Sequence, residues 1–235
     1  MALNEREIFW DWEAACYRGD MKAQQELARY VLEDLAEIAD IFHKAKEDLK
    51  RLTGDPSFYG YTSSSACRVR QEVQALYERL QQCKPQAGGE LSYVLEPIES
   101  VRTKHKQRLR LTGEVLFWGH GTCIDWVLLF AACVYKAHIY PLIIVTQGHA
   151  ILGYWLEELD AKAMRRVILT PKEIVKNFSN GRLKVVNATR IPPTRAGNGS
   201  LSRKQKKRGI AIYPTPFSPS TFAPLVRWAS IRSCR

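Results

Sequence analysis

Residues 119–150, with the sequence GHGTCIDWVLLFAACVYKAHIYPLIIVTQGHA, constrain the fold more than any other part of the chain. The apolar run at 126–135 is far shorter than the roughly 20 residues that a membrane helix needs, and Lys136 and His138 interrupt its continuation. Such a run is typical of a helix buried in a protein core. We therefore predict a helix over residues 123–137, followed by a strand over the β-branched residues 142–146.

The N-terminal part of the chain has the pattern of helices. Apolar residues recur at three- and four-residue steps over residues 5–52, and Arg-Gly-Asp at 18–20 is expected to break this stretch into two helices. Residues 53–65 are rich in Gly, Pro and Ser, which predicts a loop. A further helix is predicted over residues 67–83.

From Leu111 onward, short helix patterns alternate with short strand patterns. We predict strands over residues 151–156 and 183–188, and a helix over 171–178 that begins with a proline. The fold class is therefore expected to be α+β. We predict an N-terminal helical region at residues 1–66, a core at residues 67–190 and a basic Pro/Ser-rich tail at residues 191–235. The tail is expected to be irregular.

The formal charge of +11 is concentrated in the tail. Nine Lys and Arg residues and no Asp or Glu lie in residues 191–235, whereas the rest of the chain has 26 basic and 24 acidic residues. Charge therefore gives little support for nucleic-acid binding by the main body. The RKQKKR run at 203–208 predicts at most weak, non-specific binding of nucleic acid, and a solvated tail is the simpler interpretation.

The N-terminus and the cysteines bear on the cellular compartment. Glu5, Glu7 and Asp11 stand where a secretory peptide needs a basic start and an apolar run, so we expect a cytoplasmic protein with no membrane partner. The six cysteines include no CxxC pair and have no regular spacing, which predicts free thiols rather than a disulfide framework.

Cys123 has the sequence context of a nucleophile. Gly119 and Gly121 permit a tight turn, and Thr122 is a plausible N-cap for the following helix. The helix dipole and the free N–H groups of the first turn would then lower the pKa of the Cys123 thiol and stabilise an oxyanion beside the sulfur. A small buried apolar residue is the alternative interpretation of this cysteine.

His149 is the candidate base, because it follows a predicted strand and stands between Gly148 and Ala150, whose small size lets an imidazole face a helix end. A third group should orient this imidazole, and two candidates exist. Asp160 lies in a charged, solvated-looking run, whereas Asn187 interrupts an apolar strand, where a polar side chain needs a partner. We favour Asn187.

The segment that begins with LRLTGEVLFWGHGTCIDWVLL resembles the core of bacterial transglutaminase-like proteins, which belong to the papain-like cysteine-protease superfamily. The resemblance is most specific at Gly121-Thr122-Cys123-Ile124-Asp125 and at Gly148-His149-Ala150, and it extends over residues 68–190. It implies a Cys-bearing helix packed on an antiparallel sheet.

Transferred residue by residue, the resemblance makes Cys123 the nucleophile and His149 the general base. The third residue of the family is acidic and usually precedes a threonine directly, whereas this chain has Asn187-Ala188-Thr189. Asn can orient a histidine but supplies no charge to imidazolium. The implied activity is thiol-dependent acyl transfer on peptide or carboxamide bonds of a peptide or protein substrate, without a cofactor or metal.

Three residues near the nucleophile are predicted to contact the substrate, namely Trp118, Gly121 and Thr122. An inactive transglutaminase-like module, binding protein partners through its N-terminal helices, is the main alternative function. A zinc site is a weaker alternative, because Cys123 and Cys133 on one helix would lie about 15 Å apart along its axis and could not bind one ion.

Overall fold

The computed structural model describes residues 8–16, 18–95, 106–146, 149–160 and 169–193. Its helices, in chain order, are α1 (Trp12–Cys16), α2 (Met21–Ala28), α3 (Ala36–Thr53), α4 (Ala66–Gln82), α5 (Thr112–Trp118), α6 (Cys123–Lys136) and α7 (Pro171–Ser179). Its strands are β1 (Ile8–Asp11), β2 (Ser92–Tyr93), β3 (Lys106–Leu109), β4 (His120–Gly121), β5 (Pro141–Thr146), β6 (His149–Trp155) and β7 (Leu183–Val186). Single 3₁₀ turns lie at Gly60–Ser63 and Ala188–Arg190.

The centre of the molecule is α6 packed against a three-stranded antiparallel sheet of order β5-β6-β7. Every α6 residue from Ile124 to Val134 is buried, as expected for a helix that is apolar on all sides. The sheet register pairs Ile144 with Ile151 and Leu152 with Val186. The mixed α and β content and the helix predicted at 123–137 are confirmed.

The N-terminal helices share one hydrophobic core with α6. Helix α3 packs along α4, and both contact α6. Ile38, Ala45 and Leu49 of α3 are fully buried, as are Val73, Leu76 and Leu80 of α4. This pattern follows from the apolar stripe that the three- and four-residue spacing places on one side of each helix.

The N-terminal helix prediction needs two corrections. Residues 8–11 form strand β1, which pairs antiparallel with β3 so that Phe9 lies opposite Arg108. The pairing joins residues almost 100 positions apart, so a local periodicity cannot reveal it. The predicted break at 18–20 is confirmed, because Asp20 caps α2, but the described residues of the stretch form three helices rather than two.

The structure also bears on the predictions about the cysteines and about membrane-spanning helices. Cys16, Cys83, Cys123 and Cys133 are free thiols, whereas Cys67 is disulfide-bonded, so the free-thiol prediction is wrong for Cys67. Within the described ranges, no helix is both long enough and apolar enough to cross a bilayer. The basic run at 203–208 lies outside the described residues, so its predicted binding of nucleic acid stays a prediction.

Candidate functional site

The turn before Cys123 is shaped by glycine. Helix α5 ends at Gly119, which has a left-handed φ of 75° and donates its N–H to the Val115 carbonyl. A β-carbon at Gly119 would lie 2.1 Å from Cγ of Pro85, so no other residue fits there without movement of the chain. The turn therefore connects the end of α5 directly to the start of α6.

A buried carboxylate holds the start of α6. Asp125 accepts hydrogen bonds from the Thr122 N–H (2.8 Å) and the Thr122 hydroxyl (2.9 Å). It also accepts from the Arg110 N–H (2.9 Å) and the Arg110 guanidinium (3.2 Å). Asp125 is fully buried and Arg110 nearly so. These four bonds fix the first turn of α6 and tie it to the end of β3.

The sulfur of Cys123 is surrounded by hydrogen-bond donors. The backbone N–H groups of Ala150 and Ile124 and the Tyr93 hydroxyl lie near the half-buried sulfur and favour its thiolate. The pKa of the Cys123 thiol is nevertheless raised, because burial outweighs these donors and the negative charge of Asp125 adds to it. The predicted lowering of the pKa at the helix start is therefore wrong for this structure, and the resting group is a neutral thiol.

His149 and Asn187 lie on the same face of the sheet. His149 follows strand β5, as predicted, and is the first residue of β6, opposite Thr146. Continuing the Leu152–Val186 pairing by one residue places Asn187 level with Ile151 and diagonal to His149. The Asn187 side chain lies beside the His149 ring and favours its protonated form, which raises the pKa of His149. Asn187, rather than Asp160, is thus the side chain that contacts this imidazole.

The Asn187 amide is itself fixed by its neighbour Thr189. The Asn187 Oδ1 atom accepts from the Thr189 N–H (3.1 Å) and from the Thr189 hydroxyl (2.7 Å). These bonds hold the amide against the 3₁₀ turn that follows β7, and that turn packs against α6. The residue Ala188 between Asn187 and Thr189 is therefore part of the turn that makes these bonds possible.

The three residues predicted to be catalytic are linked along the chain by Ala150, which is buried in the core with α6, whereas its neighbour His149 points to the opposite face of β6. The N–H of Ala150 lies near Cys123 Sγ, and the preceding residue is His149, whose ring lies beside the Asn187 side chain. The bonds that the described residues make to Sγ do not include one from the His149 ring. Proton transfer between them would therefore require the imidazole to turn toward the sulfur, as active sites without substrate often require.

The residues predicted to contact substrate have different environments. Gly121 and Thr122 are buried and bond to Trp126 and Asp125 of α6, so the structure gives both a role in supporting the helix start. The Trp118 side chain is 46% exposed and packs edge-on against Phe117, with ring centroids 4.8 Å apart. Of the three, Trp118 has the surface available to a ligand.

Tyr93 is a site residue that the sequence interpretation missed. It lies 30 positions before Cys123 in a short segment with no catalytic motif. Nothing local to LSYVL, at residues 91–95, indicates that its tyrosine reaches the sulfur. The signal in the sequence was the extended character of LSYVL, because an extended segment that precedes a turn can pair with that turn.

The Cys and His side chains considered for a zinc site do not form a cluster that could bind a metal ion. Among the residues that the structure describes, no group of three or more His, Cys, Asp or Glu side chains could hold an ion. Cys133 is fully buried in the apolar middle of α6. The zinc hypothesis therefore has no geometric support in this part of the chain.

Acidification is expected to destabilise the fold through His149. Burial lowers the pKa of His149 below 6.5, and the bond to Asn187 opposes this only in part. As the pH falls below 6.5, His149 binds a proton in the unfolded chain before it does so in the folded chain. The free energy of unfolding therefore falls until the pH is below the pKa of His149 in the folded chain. Urea unfolding of wild type and His149→Gln at about pH 8 and about pH 5 tests this. An equal loss of stability in both proteins would contradict it.

No family model matches the chain, and neither a curated protein nor a solved structure matches it.

Proposed function

We propose that this chain is a thiol-dependent acyl-transfer enzyme with a transglutaminase-like core. The observation that carries the proposal is that Cys123, at the start of α6, lies beside Ala150 of the packed strand β6, whose neighbour His149 lies next to Asn187. A cysteine at a helix start, a histidine on the adjoining strand and a side chain that orients the histidine are the parts that nucleophilic catalysis needs.

The reaction begins with attack by Cys123 on a carboxamide or peptide carbonyl. As the bond between sulfur and carbonyl carbon forms, His149 takes the thiol proton and the carbonyl electron pair moves to oxygen. The Cys123 N–H is free of an intrahelical partner in the first turn and donates to this oxyanion. Collapse of the intermediate breaks the C–N bond, and His149 returns the proton to the leaving amine, which leaves a thioester.

The second half of the reaction reverses these proton movements. Water or an amine attacks the thioester while His149 takes a proton from it, and the Cys123 sulfur leaves and regains its proton. Attack by water gives protease or amidase activity, and attack by an amine gives transamidation. Asn187 orients the imidazole once it has turned toward the sulfur.

The protonation states favour general-base catalysis over a preformed ion pair. The pKa of Cys123 is raised and that of His149 is lowered, in both cases mainly by burial, so both groups rest neutral. A neutral imidazole is the form that accepts a proton. The lowered pKa of His149 keeps this form present at pH values below the ordinary histidine range.

Alkylation with iodoacetamide at about pH 7.5, followed by peptide mass spectrometry, tests the proposal. Cys83 is an internal control, because burial raises its pKa too, but its thiol donates to the Arg79 carbonyl at 3.4 Å. Cys123 Sγ instead accepts from several donors, which favour its thiolate. We expect Cys123 to react at least about 10-fold faster than Cys83, and His149→Ala to remove this advantage.

The variant His149→Ala should leave the alkylation rate of Cys83 unchanged, which controls for a general loss of structure. If Cys123 reacts no faster than Cys83, and if its alkylation rate is the same in wild type and in His149→Ala, the enzyme proposal is wrong. The chain would then be an inactive module on the same scaffold.

A further inference from the structure

The segment that carries Tyr93 is held directly beside the turn that leads to Cys123. Strand β2 runs parallel to β4, with Tyr93 opposite Gly121. The N–H of Ser92 donates to the Gly119 carbonyl at 2.7 Å, and the N–H of Val94 donates to the Gly121 carbonyl at 3.0 Å. These bonds on both sides of Tyr93 place its backbone at a fixed distance from the start of α6.

The Tyr93 hydroxyl contacts two atoms of Cys123. It lies beside Sγ and beside the backbone N–H of the same residue, close enough for both to affect its pKa. Burial, followed by the negative charge that Cys123 and Asp125 can carry, raises the pKa of Tyr93 to about 12. The hydroxyl therefore keeps its proton, and with it its capacity to donate, throughout the physiological range.

We infer that Tyr93 is a catalytic residue whose hydroxyl, together with the Cys123 N–H, donates a hydrogen bond to the oxyanion formed on the acyl group. The inference rests on the proposed function and adds to it a residue that lies on neither α6 nor the sheet.

The positions of these atoms carry the inference. When a carbonyl carbon bonds to Sγ, its oxygen must lie close to the sulfur and within reach of the Cys123 N–H. The Tyr93 hydroxyl lies next to both groups in the resting site, and the pairing of β2 with β4 holds the residue there. An entering carbonyl oxygen takes over the N–H, and the Tyr93 hydroxyl moves outward and turns its proton from the sulfur to the oxyanion. The sulfur no longer attracts that proton, because its electron pair now forms the C–S bond.

Tyr93 is placed to make this movement. Tyr93 is 39% exposed, so its ring can shift toward solvent without opening the core.

Two other roles for the contact between Tyr93 and Cys123 have different consequences. A hydroxyl that only blocks the sulfur would slow every reaction of Cys123, and one that only supports the fold would be needed equally by every reaction.

Two reactions of Cys123 separate these roles in the full-length protein. Acetylation by p-nitrophenyl acetate forms a C–S bond, releases p-nitrophenolate and develops an oxyanion, while His149 takes the thiol proton. Alkylation by iodoacetamide also forms a C–S bond but develops no oxyanion. Both rates are measured in wild type and in Tyr93→Phe, with mass spectrometry to locate the label. Tyr135→Phe is the matched control, because Tyr135 is 43% exposed and lies at the far end of α6.

For Tyr93→Phe we expect acetylation of Cys123 to fall about 100-fold, with alkylation changed by no more than a few-fold. Tyr135→Phe should change neither rate. A parallel fall in both rates, a rise in both, or acetylation equal to wild type would each overturn the role of Tyr93. Acetylation of Cys123 in wild type that is no faster than that of Cys83 would overturn the proposed acyl transfer itself.

Discussion

Replacing Asp125 by alanine is expected to lower the free energy of unfolding by about 3–5 kcal/mol. The carboxylate is fully buried, and its removal leaves the nearly buried Arg110 guanidinium without the charge that it faces at 3.2 Å. The N–H groups of Arg110 and Thr122 also lose their acceptor. Each buried donor left without a partner adds its desolvation cost. Urea unfolding measures the change.

Asp40→Ala is the matched control for this variant. Asp40 pairs with Lys44 at 2.7 Å on an exposed face of α3, where both side chains are more than half exposed. An exposed pair four residues apart on a helix contributes only about 0.3–0.5 kcal/mol. If Asp125→Ala costs no more than Asp40→Ala, the buried network does not support the start of α6 as described.

Asp125→Ala should also change the chemistry of Cys123, two residues before it. Without the carboxylate, the first turn of α6 loses its bonds to Thr122, and the sulfur loses the fixed position that its contacts with Ala150 and Tyr93 require. Alkylation of Cys123 in the folded variant should therefore approach the rate of Cys83. This outcome would identify Asp125 as a positioning residue for the nucleophile.

Glu72→Ala is expected to cost a similar amount, about 3–5 kcal/mol, for a different part of the fold. The fully buried Glu72 carboxylate accepts from the N–H groups of Tyr59 (2.8 Å) and Gly60 (2.9 Å) and from Arg68 Nε (3.3 Å). It thereby anchors the loop at residues 54–65 to α4. The variant leaves Arg68 and both N–H groups without this acceptor.

The loop in turn holds the sheet, so the loss should not stay local. The Tyr61 hydroxyl accepts from the Tyr140 N–H at 2.9 Å and donates to the Trp155 carbonyl at 3.2 Å, which ties the loop to the ends of β5 and β6. In Glu72→Ala we expect faster protease cleavage within residues 54–65 as well as a lower urea midpoint. Glu78→Ala is the control on the same helix, because Glu78 is 30% exposed and pairs with an exposed Arg51. Equal losses in both variants would contradict the anchoring role.

The parts of the structure that depend on neighbouring residues could be predicted from the sequence. Helix α6 followed from its apolar run, and its start followed from the turn that Gly119 and Gly121 permit. The proline at the start of α7 and the Arg-Gly-Asp break before α2 were recognisable for the same reason. Each of these features depends on the residue itself and on the chain within a few positions of it.

The chemistry of the site depended on contacts that local patterns do not contain. The helix start alone favoured a lowered thiol pKa, but the burial of Cys123 against the sheet and the charge of Asp125 raise it. Asn187 was favoured over Asp160 from its place in an apolar strand. Its bond to His149, however, exists only because β7 pairs with β6 in one particular register.

The sequence by itself therefore determined the buried helix, its glycine-flanked start with Cys123 in the first turn, and the α+β character of the chain, because these follow from local sterics and from the spacing of apolar residues. Only the tertiary structure decided that β1 pairs with β3, that Arg110 meets Asp125, and that Tyr93 reaches Cys123. Such contacts join residues 15 to about 100 positions apart. Their energies depend on burial and on exact distance, which exist only once the chain has folded.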